Sequence, residues 1–92
     1  MPKTKTDYSD PHYLDQLGRE SARECATNIK INAERFNVEL PLDDFHVNTF
    51  LEDTIVALDS ARRLNWKSLS NERQSVFIQS WASEMTRLGI RQ

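Results

Sequence analysis

A single cysteine, Cys25, in a chain of 92 residues excludes an internal disulfide, so the fold must rest on packing, and a reducing compartment is expected. Glycine is nearly as scarce. Gly18 and Gly89 are the only two, which is too few for a glycine-rich phosphate loop. No apolar run approaches the roughly 18 residues of a membrane span. The polar opening Met1-Pro2-Lys3-Thr4 leads into no signal-peptide core. A soluble, cytoplasmic protein without a membrane partner is therefore the expectation. An excess of one charge is also missing: 12 Lys and Arg against 14 Asp and Glu leave a net charge of −2. That balance gives no general attraction to nucleic-acid backbones or anionic lipid.

The residues of catalysis are thin on the ground. His12 and His46 are the only histidines, and each falls in the first turn of an expected helix. Asp53, two turns beyond His46, is too distant for a direct bond. No His or Cys pair stands at the i,i+4 spacing of a zinc site, and no loop has the glycine and closing glutamate of an EF-hand. Asp43-Asp44 and Glu52-Asp53 are sequence neighbours, which point in different directions on a helix. Cys25 belongs to a stripe of small residues, where a buried structural role is expected. No catalytic, cofactor-binding or metal-ligating residue is assigned, and the chain is read as a non-enzyme.

Helical periodicity, by contrast, is plentiful. Asp10-Pro11 reads as an N-cap followed by proline at the first helical position, and a helix is expected from about 11 to 37. Leu14, Leu17, Gly18, Ser21, Ala22, Cys25, Ile29, Ala33 and Phe36 share its apolar side. The small residues among them would let another backbone approach closely. Leu40-Pro41 interrupts the pattern. A second helix is expected over 44–64, opened by Asp43 or Asp44 and closed by Asn65, with Val47, Phe50, Leu51, Thr54, Leu58 and Ala61 inward. Trp66-Lys67-Ser68-Leu69 is then a short link to a third helix over 71–88. Ser70 caps its start and Glu72 sits at the positive end of its dipole. Phe77, Ile78, Trp81, Met85 and Leu88 form its apolar face, and Gly89-Ile90 has the form of a Schellman stop.

These features predict an all-α protein, a compact three-helix bundle over residues 10–92 with a flexible N-terminal arm at residues 1–9. Its expected core is Leu14, Leu17, Cys25, Ile29, Phe36, Phe50, Leu51, Leu58, Phe77, Trp81, Met85 and Leu88.

Five apolar side chains fall on faces that should be wet: Ile31, Val38, Phe45, Val56 and Val76. In so small a chain they point to contact with a partner. The favoured function is a non-catalytic protein-binding module, a small regulator or inhibitor that occupies a surface of a larger protein. Accessory proteins of phages and other mobile elements are of this kind. A homodimer is also expected, in which the overhanging end of the first helix, with Ile31 and Val38, meets its own copy. The competing arrangement docks that end on the 38–42 loop and leaves a monomer. The alternative function is a small nucleic-acid-associated regulator, because Arg62, Arg63, Trp66, Lys67 and Arg73 place basic residues around an indole. The duller role for that corner is structural, with Trp66 plugging the space between two helices.

Overall fold

In a computed structural model, which describes residues 8–92, the chain forms three α-helices and one short 3₁₀ turn: α1 Pro11–Phe36, α2 Asp44–Ser60, the turn Trp66–Ser68, and α3 Asn71–Arg87. Among the described residues there is no strand. The expected arm at residues 1–9 lies mostly outside the described residues. Its last member to carry a ring, Tyr8, packs edge-on against Tyr13 at 5.6 Å between centroids.

Each helix begins where a side chain can satisfy an orphan first-turn N–H. Asp10 accepts from the His12 amide at 3.2 Å, Asp43 from the His46 amide at 2.9 Å, and Ser70 from the Arg73 amide at 3.2 Å. The ends use the left-handed conformation. Asn37 takes φ 56° after α1, and Gly89 takes φ 81° after α3, where the Ile90 and Gly89 amides donate to the Met85 and Thr86 carbonyls.

The end of α2 departs from expectation. The helix stops at Ser60, because Arg62 adopts φ 57° and the chain reverses there. The Arg63 amide then donates to the Leu58 carbonyl and the Arg62 amide to that of Asp59, both at 3.0 Å. This is a Schellman stop with arginine in the position glycine usually holds. Asn65 lies beyond it and precedes the 3₁₀ turn.

The tightest packing is between α1 and α3, while α2 meets α1 more loosely. Gly18 makes the close approach possible. A Cβ added there would stand 2.9 Å from the Phe77 carbonyl oxygen and 3.2 Å from the Trp81 nitrogen. Polar ties flank this crossing. Ser80 donates to Asp15, and Arg23 Nε donates to Glu84 Oε2 at 2.7 Å. Because numbers rise together along both helices, α1 and α3 run in the same direction. Leu14, Phe77, Trp81, Met85 and Ile90 are fully buried around the crossing.

The expected core holds in this layer, with exceptions. Phe36 is 67% exposed, since it lies on the part of α1 that runs beyond the end of α3. Cys25, Phe50, Leu51 and Leu88 are half-buried. Ala22, Ala26, Leu64, Leu69 and Ile90 complete the core instead.

Among the described residues Glu84 is the one acidic side chain in the core. Arg87, one turn on, grips it with two hydrogen bonds of 2.8 Å, and Arg23 reaches it from α1. Those donors, Arg87 first and Arg23 next, hold its carboxyl down at about 2. A buried carboxylate with two half-exposed arginines joins the two helices that carry the core.

Candidate protein-docking groove

Beyond the reach of α3, the last two turns of α1 face the 38–43 connection and the first turns of α2. Pro41 keeps this connection out of helix, and the Leu42 amide ties it to the chain after α3 by donating to the Ile90 carbonyl at 2.8 Å. The three segments leave a groove of about 530 Å³, within the range of roughly 300–1,000 Å³ typical of binding pockets. Ile29, Ala33 and Phe36 come from α1, Val38, Pro41 and Leu42 from the connection, and Phe50 from α2.

Polar groups sit on the same walls, Asn32 and His46 among them, and their formal negative charges are Glu39 and Asp43; among the described residues no Lys or Arg lines the groove. Asp43 is held below the usual carboxylate range by the His46 backbone N–H, and further by the His46 side chain. The His46 Nδ1 lies 2.6 Å from Asp43 Oδ1, so its partner is the capping aspartate and not Asp53. His12 is exposed in the first turn of α1.

Of the apolar residues read as partner contacts, Val38 lines this groove and is 48% exposed. Phe45, on the first turn of α2 and 75% exposed, stands beside it with its ring edge-on to His46. Ile31 and Val56 are exposed elsewhere, outside the groove walls. Val76 is a correction: it is half-buried and packs against the core. Phe36 is the opposite case: expected inward, it is exposed on the groove wall. The apolar triplet Leu40-Pro41-Leu42 next to a helix end was the available signal for the rest.

The basic corner is built differently. Trp66 lies edge-on to Phe77 at 5.7 Å, its amide donates to Asp59 at 3.0 Å, and its carbonyl accepts from Gln74 at 3.0 Å. The indole therefore packs against Phe77 of α3, and the Trp66 backbone is tied to α2 through Asp59 and to α3 through Gln74. Arg63 sits 3.8 Å from Glu20, and its carbonyl accepts from the Tyr13 hydroxyl at 2.6 Å. Arg62 and Lys67 line a shallow cavity of about 390 Å³ together with Asp59 and Tyr8. Arg73 is half-buried at the start of α3.

Cys25 lies between α1 and α2 in a recess of about 280 Å³ that also holds Thr54 and Asp53. Burial pushes its thiol up, which disfavours the reactive thiolate. Among the described residues no group of His, Cys, Asp and Glu is arranged to hold a metal ion, and no helix is long and apolar enough to cross a membrane. Comparison with known protein families, curated proteins and solved structures found no match to this chain.

Proposed function

We propose that this protein is a non-catalytic binding module, a small regulator or inhibitor that acts by holding a surface of a larger protein in the groove between α1 and α2. The observation that carries this reading is the pairing of an apolar groove with Phe36, Val38 and Phe45 exposed on or beside it. Exposed aromatics grouped around a concavity leave apolar area in water that a partner would cover. They are also not needed by the core, which closes around Trp81 without them.

The test is affinity capture from the native cells with the wild-type chain, a Phe36→Ser/Phe45→Ser variant, and an Arg62→Glu/Arg63→Glu variant. Circular dichroism first shows that each variant keeps its helices. The expected result is a protein partner retained by the arginine variant and by nuclease-treated lysate, and lost with the two phenylalanines. A partner lost on nuclease treatment, or lost only with the arginines, overturns the reading in favour of nucleic acid at the 62–73 corner.

A further inference from the structure

Resting on the groove as a docking surface, the geometry points to its occupant: we infer an amphipathic helix of a partner protein whose apolar stripe is bordered by lysine or arginine. Two features of the groove select it. The first is charge. Glu39 and Asp43 are the acidic groups on walls that also carry Asn32 and His46, the His46 ring lying 2.6 Å from Asp43. Among the described residues no Lys or Arg lines them. Asp43 stays ionised because its carboxylate accepts the amide of the helix it caps. The last carbonyls of α1 end at the groove, but the positive N-terminus of α2 stands there too, so the two helix dipoles offset one another and the selection rests on the side-chain charges. Lys30 and Arg35 lie on α1 but do not line the groove. A segment with an acidic flank would face like charge from the 38–43 connection, which carries both Glu39 and Asp43.

The second feature is shape. Among the described residues there is no sheet edge on which an extended peptide could be added as a strand, and an apolar groove between helices suits an amphipathic helix laid into it. Phe45, 75% exposed, stands outside the groove lining with its ring edge-on to that of His46, a wall residue, at 5.5 Å between centroids. A small molecule enclosed within about 530 Å³ would leave that ring in water, whereas a helix about 10 Å across spans both.

Two fluorescent peptides of about 18 residues test this. They share one stripe of Leu and Trp and differ only in the flanking positions, Lys in one and Glu in the other. Binding to the full chain is followed by anisotropy at about 0.15 M salt, and the site is located by amide chemical-shift changes. The Lys peptide is expected to bind about five- to tenfold more tightly than the Glu peptide, with shifts concentrated in residues 29–50. Glu39→Gln/Asp43→Asn should bring the two peptides to parity, since asparagine keeps the cap while the charges are removed. Phe36→Ser should weaken both while the fold is kept, because Phe36 is exposed; Phe45→Ser provides a second variant.

Equal binding of both peptides in the groove overturns the inference of a basic flank and leaves the groove itself standing. Shifts centred on residues 62–67, or no binding by either peptide, overturn the inference outright, while the capture experiment judges the groove separately. Groove shifts that grow with protein concentration alone, with a doubling of mass in light scattering, replace the partner helix by a second copy of this chain.

Discussion

Two residues at the crossing of α1 and α3 show how little freedom single positions have here. Alanine is a better helix former than glycine by about 1 kcal/mol, so Gly18→Ala should help an isolated α1. In the folded protein the new methyl would meet the Phe77 carbonyl oxygen at 2.9 Å and the Ser80 Cβ at 3.1 Å. One of these is backbone and neither can swing away, so overpacking at about 1–3 kcal/mol outweighs the propensity gain. Thermal melting of Gly18→Ala should therefore show a lower Tm, and an unchanged or raised Tm would mean that the helices do not meet at Gly18. Trp81, fully buried beside it, fills the crossing, and its indole N–H has no hydrogen-bond partner among the described residues. Trp81→Ala should cost about 3–5 kcal/mol, a large part of the roughly 5–15 kcal/mol that holds such a domain folded. Trp81→Phe should cost distinctly less, since it keeps a ring in place and removes an N–H that gains nothing from burial. Denaturant titration of the pair checks the order, and equal losses would show that the N–H is satisfied.

At the scale of whole helices, what was legible in the sequence is what local chemistry decides. Asp10-Pro11, Ser70 and Gly89-Ile90 mark ends through hydrogen bonds made within a few residues, and those ends fall where expected. The end of α2 was not legible. Arg62 and Arg63 suit the last turn of a helix by charge, so the helix was expected to run through them to Asn65. The chain instead turns at Arg62 because the turn buries Leu64 and sets the Trp66 amide on Asp59, contacts that no short window of sequence contains. Phe36 failed for a related reason. Its spacing continues the apolar stripe, but periodicity does not show where the partner helix stops, and α1 outruns α3. The groove was hidden with it, since its walls come from α1, a proline-broken link and α2 together. The strained stop gives a prediction. A non-glycine residue in the left-handed region costs about 1–2 kcal/mol, so Arg62→Gly should relieve part of that cost. A net gain near 1 kcal/mol corresponds to a rise of about 4–8 °C in Tm. A fall in Tm would show that the Arg62 side chain contributes more than its backbone costs.

For the molecule as a whole, the response to acid follows from carboxylates that the fold keeps ionised. Glu84 lies at about 2 against an ordinary 4.5, through the hydrogen bonds of Arg87 and then of Arg23. Asp15 is lowered chiefly by the hydroxyl of Ser80, and Asp43 chiefly by the His46 amide. All three shifts have the same sign. Between the unfolded and folded values the unfolded chain binds more protons than the folded one, so folding stability rises with pH across that interval. For Glu84 the contribution is complete above about 4.5, declines as the pH falls toward 2, and is gone below it, when the carboxyl is protonated in both states. Glu84 should dominate, because it is buried between the two helices that carry the core, whereas Asp43 is exposed at a helix start and is screened by salt. Melting curves taken at steps from neutral pH down to about 2 should thus show Tm falling steeply over the lower part of that range. In Glu84→Gln the protein should be less stable at neutral pH, where two arginines lose their anion, and its Tm should depend less on pH below 4.5. The difference between wild type and variant should shrink toward zero as the pH approaches 2, and should persist in high salt because the carboxylate is buried. Parallel curves, with the same gap at every pH, would show that Glu84 contributes through its shape in the core and not through its charge.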